Sequence, residues 1–179
     1  MKRFIMEERS AWRKKKVIYI GNDHGGCRLK KIITAYLDEH GIPYVNVGTD
    51  TEEIVRYPYY AAQVAEAVST GKAVRGILIC STGIGMSIFA NRFKDVRASL
   101  CTDTYMAKMT RRHNDSNILC LGGKITGEFE AIDILETWLK EEFEGGRHNI
   151  SLGLIKEAEK TLCCEQVPEP EAILPGERK

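Results

Sequence analysis

The chain has 179 residues, enough for one well-buried domain and short for two. With 26 Lys and Arg against 25 Asp and Glu its formal net charge is +1, which argues against the strong field of a nucleic-acid or membrane-surface binder, and no apolar run approaches the ~20 residues of a membrane span. Six cysteines without a CxxC pair or zinc-type His/Cys spacing point to reduced thiols in a cytoplasmic protein, with neither a disulfide framework nor a metal. In chain order, residues 1–15 are charged and lack an apolar core, so they read as an arm rather than a secretory leader. Residues 17–22 (VIYIGN) form a β-branched strand stopped by DHGG. Leu29, Ile32, Ile33, Tyr36 and Leu37 then recur at helical spacing up to Gly41. Residues 44–48 are a second strand, 49–58 a polar loop, and 61–68 a helix that stops near Gly71. Residues 76–80 (GILIC) make a third strand, followed by a glycine turn and a helix through Phe93. Residues 97–101 make a fourth strand, and a short helix follows with Asp103 as its cap. Residues 117–123 make a fifth strand. Phe129, Ile132, Leu135 and Leu139 line a long helix, and residues 149–162 form a final one. Residues 163–179 carry three prolines and little periodicity, so they read as a tail of low order. Strands alternating with helices predict an α/β fold: a Rossmann-like three-layer sandwich on a five-stranded parallel sheet, plus a C-terminal helix, in one domain spanning residues 16–162.

In such a sheet ligands lie beyond the carboxyl ends of the strands, where the strand order switches. The segments to inspect are Asp23 and His24, the loop around Tyr57, residues 80–87, Thr102 and Asp103, and residues 122–124. Most of the chemically capable groups fall there. Cys80 closes a strand in front of STGIGMS, and three machines place a thiol or a glycine turn this way. A cysteine phosphatase needs an arginine six positions on, to clamp the phosphate, and Met86 stands there. A nucleotide phosphate loop needs a Lys that this turn lacks, and a dinucleotide fingerprint needs a third glycine where Ile88 stands. The third reading keeps every residue. Backbone N–H groups of residues 83–87 at a helix start can hold an anion or a developing oxyanion. The partial positive charge of a helix start also favours thiolate over thiol. Cys80 could then move a proton at a substrate carbon without metal or cofactor. Each residue also has a plainer reading: Cys80 as packing, His24 and His113 as caps or surface imidazoles, Asp23 as a helix cap, Arg147 and His148 as a basic helix start. Their joint appearance, expected at one edge of the sheet, favours a site.

The segments GNDHGG, YP, GILICSTGIGMSIFANRF, RRHNDSN and FEGGRH occur together and in this order, and the chain from about Lys16 to Leu162 resembles the type B ribose-5-phosphate isomerases and the related galactose-6-phosphate isomerase subunits. The resemblance implies a homodimer, or a tetramer built from it, with active sites at the dimer interface, and aldose–ketose isomerisation through an enediolate. It implies no cofactor. Carried over residue by residue, it makes Cys80 the base, places Thr82 at the reacting oxygens and makes His113 the ring opener. Ser81, Gly83, Ile84, Gly85, Met86 and Ser87 become the enediolate loop, and Asn114 a substrate contact. Asp23 becomes a hydroxyl ligand and Tyr57 a wall, while His24, Lys124 and Arg147 anchor the phosphate. Ser151 stands where relatives carry a second phosphate arginine, Arg56 stands where they carry Asp, and Arg56, Arg111 or Arg112 are candidates to replace the lost cation. The implied substrate is ribose 5-phosphate. The alternatives are a six-carbon sugar or its phosphate, or a non-catalytic sugar-phosphate-binding subunit.

Overall fold

A computed structural model describes residues 17–162, so the arm at 1–15 and the tail at 163–179 lie outside the described residues. The order is β1 (Ile18–Asn22), α1 (Cys27–Glu39), β2 (Tyr44–Asn46), α2 (Tyr57–Ser69), β3 (Arg75–Cys80), α3 (Ile84–Ala90), β4 (Ala98–Leu100), α4 (Thr104–Asn114), β5 (Ile118–Gly122), α5 (Glu128–Lys140) and α6 (His148–Leu162). A 3₁₀ turn (His24–Gly26) leads into α1. All strand pairs are parallel, in the order β2-β1-β3-β5-β4. β1, β3 and β5 are buried nearly throughout, as strands covered on both faces must be, and their side chains alternate between two cores. Ile18, Ile20, Ile77, Ile79, Leu119 and Leu121 meet α1, α4 and α5. Tyr19, Leu78, Cys80, Ile118 and Cys120 meet α2 and α3. Fully burying such a side chain contributes roughly 1.5–3 kcal/mol, which is what holds short helices such as α3 in place.

Several caps follow the expected chemistry. Asp103 Oδ1 accepts from the Met106 amide at 2.8 Å, so it does cap α4. One boundary differs from the sequence reading. Residues 49–58 were expected to be loop throughout, but α2 begins at Tyr57 with Pro58 in its first turn, where the missing N–H has no partner to lose.

The chain leaves β1 toward one edge of the sheet and leaves β3 toward the other. The switch in strand order therefore lies between β1 and β3, and it sets the two following turns side by side. They are Asp23–His24 and the glycine turn after Cys80.

Candidate active site

Backbone bonds knit the carboxyl ends of β1, β3 and β5 together. The Asp23 amide donates to Ile79 O (3.2 Å), that of Gly123 to Cys80 O (2.7 Å) and that of Lys124 to Ser81 O (3.1 Å). The turn at 24–26 rests directly on Ser81, because a Cβ at Gly25 would stand 2.3 Å from Ser81 Oγ. Asp23, His24, Cys80, Ser81, Thr82 and Lys124 thus share one edge. Asp23 is buried, and its Oδ1 accepts from the Gly25 amide at 2.9 Å. Burial raises the pKa of its carboxyl, opposed by the Gly25 N–H and by the positive charge of His24 and Lys124. Its capping role and its place in the site therefore coexist.

Cys80 ends β3 buried, with its Sγ accepting the Gly83 amide at 3.1 Å. Gly83 has φ +77°, and a Cβ there would lie 2.6 Å from Leu100 Cδ1, so only glycine makes this turn without strain. Thr82 Oγ1 accepts from the Ile84 amide at 3.4 Å. Helix geometry leaves the amides of Gly85 and Met86 without an intrahelical carbonyl. Tyr57 packs over Gly85, where a Cβ would lie 2.9 Å from its Cζ, and so walls the same turn.

Two loop residues differ from expectation. The Met86 side chain is fully buried in the core beneath α2, so only its backbone faces the turn. Ser87 has both of its groups committed: its amide donates to Gly83 O (3.0 Å) and its hydroxyl to Ala98 O (3.4 Å). The reason is helical periodicity. Residues three and four positions into α3 rotate back onto the sheet.

His24 depends on a residue that the sequence did not flag. The Val55 amide donates to His24 Nδ1 at 3.3 Å, which engages that ring nitrogen as an acceptor. The loop bearing Val55 is tied down by Lys30. Its ammonium is buried and donates to Thr49 O (2.7 Å) and Asp50 Oδ1 (2.5 Å). The Asn22 amide nitrogen also donates to Thr49 O, at 3.0 Å. The available signal was a lysine beside Leu29 on the apolar side of α1.

His113, Asn114 and Arg147 lie elsewhere, and this overturns the expectation of one shared edge. α4 starts at the carboxyl edge and runs back for about 14 Å, at 1.5 Å per residue, before reaching His113. The end of α4 and the start of α6 therefore stand at the amino edge. There the His113 and His148 rings stack (centroids 4.1 Å apart, 14° between planes), and Nε2 of each is 3.8 Å from Glu144 Oε2. Arg147 is exposed beside them, and its charge acts on His148. Of the proposed substitute cations, Arg111 is buried and bound to Asp115 (2.8 Å) and Ser116 O (2.6 Å), so it is structural. Arg112 pairs with Glu141 (2.5 Å) and Glu144 (3.4 Å). The Cys80 thiol and the His113 imidazole thus stand at opposite edges of one chain's sheet.

Residues 18–155 match the protein family described as Ribose/Galactose Isomerase. The chain is 46% identical over 133 residues to ribose-5-phosphate isomerase B of Escherichia coli, covering 74% of this chain and 89% of that protein. It resembles a solved structure of Clostridium thermocellum ribose-5-phosphate isomerase B with a TM-score of 0.80 at 50% identity, covering 81% of this chain and 98% of the other. A structure of ribose-5-phosphate isomerase B from Mycoplasma genitalium with bound ribulose-5-phosphate matches with a TM-score of 0.78 at 37% identity, over 80% of this chain and 96% of the other.

Proposed function

The chain belongs to the ribose/galactose isomerase family, and we propose that it interconverts ribose 5-phosphate and ribulose 5-phosphate through an enediolate, with Cys80 as the base. The observation that carries this reading is the buried Cys80 thiol at the strand-order switch, held by the Gly83 amide at the glycine turn that starts α3. In the reaction, Cys80 as thiolate removes the proton from C2. The C–H electron pair becomes the C1=C2 bond, and the carbonyl pair moves onto O1. The amides of Gly85 and Met86 stabilise that charge. A proton passes from O2 to O1 beside Thr82, and Cys80 returns its proton to C1, leaving C2 as the carbonyl. Asp23 contacts the sugar, while His24 and Lys124 hold the phosphate, whose binding positions the reacting carbons; Asn114 and Arg147, at the far edge, serve the same roles in the site of the other subunit.

Ring opening needs a proton donor at the ring oxygen, and His113 stands at the far edge of its own chain. The reading therefore includes a homodimer in which the partner subunit's His113 completes the site over Cys80. The rim of the Cys80 edge supports this, since it exposes Ile84 (51%), Ile125 (60%) and Phe129 (90%), an apolar surface suited to a second copy. Four free thiols, Cys27, Cys80, Cys101 and Cys120, support a reducing, cytoplasmic setting, and no described helix is long and apolar enough to cross a membrane.

The test is turnover of ribose 5-phosphate by the purified chain in deuterated water, beside galactose 6-phosphate and allose 6-phosphate. The expected result is ribulose 5-phosphate, with solvent deuterium appearing in the sugar. Binding without turnover on every sugar would leave the non-catalytic subunit reading in its place, and preferred turnover of a hexose phosphate would move the substrate to the six-carbon class.

A further inference from the structure

We propose that His113, Glu144 and His148 form a binding site for a divalent transition-metal ion, Zn²⁺ above all, and that filling it inhibits the enzyme by withdrawing His113. The three residues are 31 and 4 positions apart in the chain, so no spacing motif announces them. The fold brings together the end of α4, the loop before α6 and the first residue of α6. Their donor atoms all lie within 4.8 Å of one another. Both Nε2 atoms face the same carboxylate oxygen, Glu144 Oε2, at 3.8 Å. The other oxygen, Oε1, is turned to Arg112 at 3.4 Å, so the pairing with Arg112 leaves Oε2 to the imidazoles. The backbone at the three positions is fixed as well: the Glu144 amide donates to Arg112 O (3.0 Å) and that of His148 to Gly145 O (3.1 Å).

Two imidazoles and one carboxylate with an open fourth position are a ligand set that zinc takes, whereas magnesium and calcium prefer all-oxygen surroundings. Zinc bonds of about 2.0–2.1 Å in tetrahedral geometry set donor atoms about 3.3 Å apart, so each 3.8 Å gap must close by about half an ångström. The near-parallel rings must also splay, to aim both lone pairs at one ion. All three side chains are partly exposed and can turn to do so. Arg112 and Arg147 oppose a cation. Arg147 acts in the other direction too: burial, then the charges of His113 and Arg147, lower the His148 pKa, and metal binding requires the neutral ring. An ion here and a sugar ring compete for the same His113 imidazole. The inhibitory half of the proposal rests on His113 acting in ring opening, and the binding half does not.

The experiment separates the two. Protein stripped with EDTA is titrated with Zn²⁺ against a chromophoric chelator, and isomerisation is followed in parallel with and without Zn²⁺. The expected result is one ion per chain, at least tenfold weaker binding in His148→Ala and in Glu144→Gln, and an equal shift of half-inhibition in both. Isomerisation by these variants in EDTA should stay near wild type, and Mg²⁺ should not inhibit. Binding should persist when Cys80, Cys163 and Cys164 are all replaced by Ser. Unchanged zinc affinity in both His148→Ala and Glu144→Gln, or loss of binding in the Ser variant, would overturn the site and place the ion on thiols. Binding as expected without inhibition would remove only the regulatory half.

Discussion

At the scale of single residues, the thiols sort themselves by surroundings. Burial, with the charge of Asp103 adding to it, pushes the Cys101 pKa up to about 12, and full burial pushes that of Cys120 well above the usual thiol range. Burial raises that of Cys27 too, and its Sγ donates to Thr51 O at 3.0 Å. These are packing thiols, whereas Cys80 meets an amide donor at an open turn. Cys80→Ser should lower kcat by at least about 100-fold with a modest change in substrate affinity, because the thiolate acts on a carbon proton and not on the phosphate. Steady-state kinetics with isothermal titration checks both halves, and Cys120→Ser should change thermal stability only. Asp23 allows a pH test. An acid whose pKa is raised on folding is destabilising where it is ionised, so its cost is present at neutral pH and fades as pH falls through the folded value. Asp23→Asn keeps an acceptor for the Gly25 amide. It should make urea unfolding harder at about pH 7, with the gain shrinking toward about pH 4, while isomerisation falls. A gain that is constant with pH would show that desolvation of the carboxylate is not the cause.

At the scale of elements, what matters is how a loop outside the sheet reaches the site. Residues 49–56 reach it through Val55 and the His24 ring, and Lys30 holds that loop from beneath. A buried ammonium is costly to desolvate, and Lys30 is 2% exposed, so its retention there needs the two oxygen acceptors it finds. Asp50 is exposed, and Thr49 O keeps the Asn22 donor, so removing the ammonium strands neither group. Lys30→Met should therefore alter global stability by no more than about 1–2 kcal/mol while freeing the loop. The expected kinetic signature is a KM for ribose 5-phosphate raised severalfold, with kcat nearly kept, since His24 is assigned to the phosphate. A fall in kcat at unchanged KM would detach the loop from phosphate binding.

At the scale of the whole molecule, the proposed reading joins the Cys80 edge to the His113 edge of a second copy. In the proposed twofold dimer each site would take Cys80 from one chain and His113 from the other. Cys80→Ser and His113→Ala should each be nearly inactive alone, yet refolding them together should restore about a quarter of wild-type activity. Half of the dimers are then mixed, and each mixed dimer holds one intact site of two. A mixture no more active than the sum of its parts would mean that the sites do not share residues across subunits.

The amino-acid sequence by itself determined the alternation of strands and helices, the parallel sheet, the cap at Asp103 and the thiol-plus-glycine turn. Those features rest on short-range periodicity and turn chemistry that a few neighbouring residues encode. The start of α2 was missed because a proline beside two tyrosines reads as loop until one sees that it occupies a first helical turn. The parting of Cys80 from His113 is implicit in the alternation, since a crossover helix must end at the amino edge of the sheet, but the order of motifs along the chain does not show it. Only the tertiary structure decided that Met86 and Ser87 turn inward, that Lys30 holds the loop behind His24, and that Glu144 meets two histidines. Each of these is set by how one element is rotated against another, and packing across the sheet fixes that rotation rather than any local run of residues.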